Sequence, residues 1–326
     1  MTQRLGRTGP VLSGFGLGLA ALGRPAYITV GHARDLPQGR SVEAMEAHAH
    51  RVLDHAFALG VRYFDAARSY GRAEAFLRSW VDSRGIRPGE VAIGSKWGYR
   101  YTGDWQVDGR VQEVKDHGVE MLRAQAAEST SILGPYLGLY QIHSATPETG
   151  VLEDAQVIGE LRRLREGGLF LGVTVTGLSQ LETLRRAVDL RFDGEQLFSA
   201  VQATWNVLER KAGPGLREAH DAGLAVLVKE PLANGRLTPR GDAGRDGPLR
   251  AVAERLGSPA DAVALAFVAK ERWADLVLLG AATEEQVASN LQAQRVNLAE
   301  EDLRALEEMR LPAEEYWSQR ARLAWD

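Results

Sequence analysis

The stretch Met45-Glu-Ala-His-Ala-His-Arg-Val-Leu-Asp-His-Ala-Phe-Ala-Leu-Gly-Val-Arg-Tyr-Phe-Asp-Ala66 holds a helix, a stop and a strand in succession, and its reading decides the fold. Met45, Ala49, Val52, Leu53 and Phe57 fall on one face at i, i+4, i+7 spacing, the mark of an amphipathic helix. Gly60 stands where such a helix ends, because glycine takes the left-handed cap conformation without strain. Val61 to Ala66 is a short run of β-formers that finishes on a carboxylate, Asp65. One strand fed by one helix is half of a repeating unit.

The same alternation runs through the chain. Strands are expected near Phe15 to Ala20, Val61 to Ala66, Val91 to Lys96, Leu137 to His143, Leu169 to Thr176, Ala200 to Asn206, Leu224 to Glu230 and Leu276 to Gly280. Between them lie helical signals: capping boxes at Ser179-Gln-Leu-Glu182 and Thr283-Glu-Glu-Gln286, Ser258-Pro259 as N-cap and first helical residue, and Gly167, Gly168 and Gly223 as stops. Eight alternating units imply a parallel sheet closed on itself, an α/β (β/α)₈ TIM barrel, taken as one domain over residues 1–326. Three connections exceed what a minimal barrel needs: Arg24 to Arg40, Gly98 to Gly109 and Leu232 to Gly247. Each follows a strand C-terminus, the end at which barrel enzymes build their sites. An extra helix near Leu303 to Met309 and a tail to Asp326, with Tyr316, Trp317 and Trp325, complete the chain.

Composition narrows the classes. The 326 residues are 44% hydrophobic and 25% charged, enough for a large core and inconsistent with a disordered chain. A net charge of -4, with both signs scattered, gives no basic field for nucleic acid. There is no cysteine, hence no disulfide, no thiolate metal site and no cysteine nucleophile. The seven histidines include no pair at i, i+4, so no metal is expected. No apolar leader and no membrane-length run is visible, which makes cytoplasmic location the expectation.

Three ionisable residues end consecutive strands: Asp65, Lys96 and His143. Tyr70 follows Asp65 by five residues, and strand ends of a barrel converge on one mouth. Singly, each has a plain structural reading: a cap, a core histidine, a packing tyrosine. Together they suit proton transfer, since an ammonium paired with a carboxylate is expected to pull the phenol down from about 10. A histidine beside it can donate to a carbonyl oxygen.

Arg4-Leu-Gly-Arg-Thr-Gly9, Phe64-Asp-Ala-Ala67, Ser69-Tyr-Gly-Arg-Ala-Glu74, Ser95-Lys96, Gln141-Ile-His143, Gln202 through Asn206 and Gly280 through Asn290 occur in the order and spacing of the aldo-keto reductases, and the chain resembles that family over nearly its whole length. The resemblance implies hydride transfer between a nicotinamide cofactor and a small-molecule carbonyl or alcohol, with Asp65, Tyr70, Lys96 and His143 as catalytic residues. It implies cofactor contacts at Thr174, Gln202, Trp205, Gly280, Ala281, Gln286 and Asn290, with Trp205 against the nicotinamide face. NADP(H) is the cofactor expected and NAD(H) the alternative. Because Gly280 to Asn290 lacks the Lys or Arg common in NADP-preferring relatives, Arg236 is the compensating cation expected near the phosphates.

Each of these has a bland counterpart. Thr283 and Gln286 are explained by capping alone, Trp205 by plugging the barrel top, Arg236 by solvation. The family's Ser-Asn after the fifth strand is Thr174-Val175 here, which leaves Thr174, with Thr176 as a substitute hydroxyl, for the carboxamide. Two other activities remain open on the same residues: a Schiff-base lyase using Lys96 or Lys229, and a slow cofactor-binding sensor on the same barrel.

Overall fold

Eight parallel strands close into a barrel in chain order, the last pairing with the first: β1 (Phe15–Gly18), β2 (Tyr63–Asp65), β3 (Ala92–Trp97), β4 (Leu137–Ala145), β5 (Leu171–Val175), β6 (Ala200–Thr204), β7 (Ala225–Lys229) and β8 (Leu276–Leu279). All eight expected strands are present. This computed structural model describes residues 3–325 apart from 6–8, 13, 37 and 108–110. The middle of the Arg4 to Gly9 motif, one residue of the first long loop, the tip of the second and the final residue thus lie outside the described residues.

Helices α1 (Val42–Ala58), α2 (Ala73–Arg84), α3 (Val119–Leu133), α4 (Ala155–Glu166), α5 (Gln180–Asp189), α6 (Gly213–Asp221), α7 (Pro248–Leu256), α8 (Ala260–Ala269) and α9 (Glu284–Leu291) surround the barrel. The face of α1 read from the sequence is the buried one: Met45, Ala49, Val52 and Leu53 are fully buried, and Phe57 packs edge-on against Trp80. Two caps differ from expectation. The Ser179 side chain makes no cap bond, its backbone carbonyl serving Thr183 instead. Pro259 is itself the N-cap of α8, one residue later than the sequence suggested. After α10 (Glu300–Glu307), the segment expected as a plain tail forms a further helix, α11 (Ala313–Ala321), which returns across the barrel mouth.

The barrel interior follows from strand alternation, since residues two apart face the same side. The lower inward positions are apolar: Tyr63, Ala92, Leu139, Ala200, Ala225, Leu227, Leu276 and Leu278 form one cluster with Leu5 and Leu12 of the N-terminal hairpin (Gln3–Arg4 with Val11–Leu12) as its floor. Two residues further along the same strands, and four on β3 beyond Gly94, the inward side chains turn polar: Asp65, Lys96, Gln141, Gln202 and Lys229. The core therefore ends, and a polar chamber begins, at one level of the barrel.

Gly94 separates the two levels. A Cβ there would lie 2.0 Å from the Tyr63 hydroxyl and 3.3 Å from an Asp65 carboxylate oxygen. Only glycine leaves room for a tyrosine inside a barrel this narrow. Gly94→Ala is expected to cost about 1–3 kcal/mol of stability through overpacking, read as a lower urea midpoint; an unchanged midpoint would show that Tyr63 is free to move aside.

Candidate active site

Asp65 is the hub of the polar level. One carboxylate oxygen pairs with the Lys96 ammonium, and the other accepts from Tyr63 Oη at 3.3 Å, Gln202 Nε2 at 3.3 Å and Gln141 Nε2 at 3.4 Å. The Lys96 ammonium also donates to the Ala66 carbonyl at 2.8 Å. Burying either charge alone would be costly, so the pair stands because both ions are matched and the spare lone pairs filled. Four strands thereby meet on one carboxylate.

Tyr70 sits above this pair. The Lys96 ammonium lies 4.8 Å from the Tyr70 ring centroid, and His143 stands edge-on to the same ring at 5.5 Å. The balance on the phenol is the reverse of the sequence expectation: burial and the Asp65 charge hold Tyr70 well above the ordinary tyrosine range, with only Arg24 opposing them strongly. At the phenol the Asp65 carboxylate paired with Lys96 acts in the raising sense and, with burial, prevails. His143 moves the other way. Burial, then the Lys96, Lys229 and Arg24 charges, keep its imidazole well below the ordinary histidine range and so neutral.

Arg24 and Glu113 were not singled out from the sequence. The Arg24 guanidinium, only 2% exposed, stacks near Tyr70, Tyr27 and Trp325 at 5.2, 5.4 and 4.8 Å and pairs with Glu113 at 2.8 Å. Both come from long connections after strands, Glu113 from a hairpin (Tyr99–Tyr101 with Glu113–Lys115), and loop position was the sole hint in the sequence. Arg320 of α11 clasps Glu230 at the tip of β7; nothing in the sequence marked that tail residue.

A cavity of about 960 Å³ runs from Tyr70, His143 and Gln202 to Gly280, Ala281, Gln286 and Asn290, the upper end of the range of ligand sites. At its far end Asn290 Nδ2 donates to Asp261 at 2.6 Å, while Asn290 Oδ1 and the other Asp261 oxygen are buried without partners. Unfilled acceptors there suit a ligand that brings N–H donors. Gln286 bridges the Ala282 N–H and the buried Asp35 carboxylate, each at 2.8 Å, and Arg240 reaches Asp35 at 2.6 Å. Its amide thus serves Ala282 rather than closing the expected box on Thr283, although the Thr283 hydroxyl does cap Gln286 N. The open backbone at Gly280, the start of α9 and the cations Arg34, Arg51 and Arg240 fit the phosphate and adenosine portion of a dinucleotide.

Three expected contacts lie elsewhere. Thr174 is fully buried and its hydroxyl accepts from Ser144 N at 2.7 Å; Thr176 lines the cavity instead. Trp205 points away from the mouth, stacked on Phe267 at 5.6 Å and edge-on to Trp273 at 5.1 Å, because Gln202 and Thr204 take the inward parity of β6. Arg236 is packed under α11, bonded to Gln319 at 2.7 Å and lying over Tyr316 at 4.5 Å, so Arg240 and not Arg236 is the cation that this loop presents to the cavity.

The Aldo/keto reductase family profile matches residues 37–310. The chain belongs to the aldo/keto reductase family. It is an oxidoreductase on a (β/α)₈ barrel. Norsolorinic acid reductase stcV of Emericella nidulans is 24% identical over 284 residues, covering 80% of this chain and 71% of that protein. The uncharacterized oxidoreductase YqkF of Bacillus subtilis is 23% identical over 281 residues, covering 78% and 85%. The holo form of aldo-keto reductase AKR11C1 from Bacillus halodurans shares the fold with a TM-score of 0.70 at 21% identity, over 94% and 95% of the two chains. Among the described residues no helix of this family member is long and apolar enough to cross a membrane.

His117, whose Nε2 meets the His143 carbonyl at 2.9 Å, is held down to about 4, mainly by burial. A histidine with a depressed folded value gives stability that is present above its unfolded value of about 6.5 and lost as pH falls. The urea midpoint is therefore expected to drop as pH goes from about 6.5 toward 4, while the His117 ring resonances stay in their neutral positions down to about pH 5 and the His143 ring does not titrate near 6.5. Titration of either ring near 6.5 would contradict this.

Proposed function

We propose that this enzyme reduces an aldehyde or ketone with NADP(H), with Tyr70 as the proton donor. The observation that carries the reading is the buried Lys96–Asp65 pair beneath Tyr70, with a neutral His143 edge-on to the same ring. Bound nicotinamide supplies the hydride. The chain's part is to hold the carbonyl oxygen and deliver a proton to it.

Tyr70 keeps its proton across the neutral range, because burial and Asp65 make the phenolate costly. That is the form reduction requires, since the alkoxide formed at the substrate oxygen is a far stronger base than a phenolate and takes the proton. His143, kept neutral, has a ring N–H to give to the same oxygen, polarising the carbonyl and fixing its orientation. Lys96 and Asp65 act from below by holding the chamber in place and by leaving it close to neutral. Gln202, Thr176, Gly280, Ala281, Gln286 and Asn290 are the residues we assign to the cofactor, and Arg34, Arg51 and Arg240 to its phosphates.

Norsolorinic acid reductase is, by its name, a reductase, and the proposal extends that class of chemistry to this chain. Supporting the proposal, Tyr70, His143 and Asp65 line one cavity, with Lys96 buried against Asp65.

Tyr70→Phe is expected to lower the reduction rate by about 10² to 10⁴ while the NADPH dissociation constant changes by less than about threefold. Near-normal turnover in that variant would overturn the mechanism. In a separate titration followed by nucleotide fluorescence, NADPH is expected to bind more tightly than NADH; equal binding would mean that Arg34, Arg51 and Arg240 do not read the 2′-phosphate.

A further inference from the structure

Three cations in and just under the inner mouth are paired with carboxylates, and Lys229 is not. Lys96 pairs with Asp65, Arg24 with Glu113 and Arg320 with Glu230. Lys229, at the tip of β7 in the cavity wall, has no carboxylate within ion-pair distance among the described residues; its one hydrogen bond goes to Thr204 Oγ1 at 3.0 Å. Its neighbour Glu230 favours the ammonium through space but forms its ion pair with Arg320 instead. The Glu230 carboxylate is taken by the Arg320 fork and by Thr204 Oγ1 at 3.0 Å, and its backbone is fixed at φ 53° with the carbonyl accepting from Asn206. A non-glycine residue holds that conformation only where its surroundings impose it.

A partly buried ammonium with no carboxylate in direct contact is under-compensated, and a ligand anion would complete the balance. The mouth around it is aromatic, with Tyr27, Tyr99 and Trp325 in its walls, and so suits a flat apolar body. We infer that Lys229 is a specificity-determining residue that binds the carboxylate of an anionic substrate, so that the enzyme prefers carbonyl compounds bearing a carboxylate over their neutral counterparts. The inference rests on the reductase reading for its substrate and on the charge balance for its site. Two further observations agree with it. The Lys229 ammonium is held down to about 8, mainly by burial, with Arg320 and Lys96 lowering it and Glu230 and Asp65 raising it. Lys229 and His143 line the same cavity, and the Lys229 charge helps to lower the His143 imidazole.

The test compares 4-carboxybenzaldehyde with benzaldehyde as substrates, and benzoate as a ligand in calorimetry, in the wild type, Lys229→Gln and Lys229→Arg. Gln can keep the Thr204 bond without the charge, and Arg keeps the charge. In the wild type, kcat/KM is expected to favour the carboxylated aldehyde, mainly through KM. Lys229→Gln should lower the ratio of the two kcat/KM values roughly tenfold or more, the loss of a charge-assisted hydrogen bond, and Lys229→Arg should restore most of it. Benzoate affinity should fall above about pH 8 in the wild type, as the ammonium deprotonates, and stay level in Lys229→Arg.

An unchanged ratio in Lys229→Gln overturns the inference even if both aldehydes are reduced, which leaves the reductase reading intact. Failure of the wild type to reduce either aldehyde counts against the reductase reading, and benzoate binding then decides the site alone. Weaker NADPH binding in Lys229→Gln with an unchanged aldehyde ratio would assign the cation to the cofactor. Borohydride trapping of 4-carboxybenzaldehyde on Lys229 would also overturn the inference, by showing a neutral amine that forms an imine.

Discussion

One buried carboxylate holds the polar end of this barrel together. Asp65 takes donors from its own strand, from β3, from β4 and from β6, and only the Lys96 donor carries a charge. Remove the carboxylate and an ammonium is left buried without a partner, a change that typically costs several kcal/mol. Remove the ammonium and the carboxylate faces three weak neutral donors. The level at which the barrel turns from apolar to polar is set by this pair, and Gly94 keeps the tyrosine beneath it in register.

The pair also explains why proximity of a lysine does not make Tyr70 acidic. Burial and the Asp65 carboxylate together outweigh any lowering that Lys96 brings to the phenol, although the Lys96 charge does act on His143. What Tyr70 gains from the arrangement is a protonated hydroxyl held close to a neutral imidazole. Further pairs stand around the mouth, Glu113 with Arg24 and Glu230 with Arg320. Lys229 stands out because the compensation stops there.

The barrel was legible because it rests on periodicity, which a sequence displays directly. Eight apolar runs, helical faces such as Met45 to Phe57 and stops such as Gly60 all come from local rules. The convergence of Asp65, Tyr70, Lys96 and His143 was legible for a related reason: strand ends of a closed barrel have nowhere else to point. Trp205 shows where resemblance and physics disagreed. Gln202 and Thr204 both face inward, so strand alternation sends Trp205 outward to Phe267 and Trp273, and the parity was there to be read. Thr174 shares the inward parity of Gly172, yet its hydroxyl is claimed by the Ser144 N–H at an irregularity in β4, which no local rule announces.

Contacts made by the tail were the least legible, since they join residues about ninety positions apart and depend on α11, whose sequence Ala-Glu-Glu-Tyr-Trp-Ser-Gln-Arg-Ala carries only a weak apolar face. Once that helix is laid across the mouth, its consequences are strict. Gln319 draws Arg236 out of the cavity, and Arg320 draws Glu230 away from Lys229. A segment with no chemistry of its own thus decides which cations the mouth presents, and the substrate preference of the barrel is written partly in residues that no substrate touches.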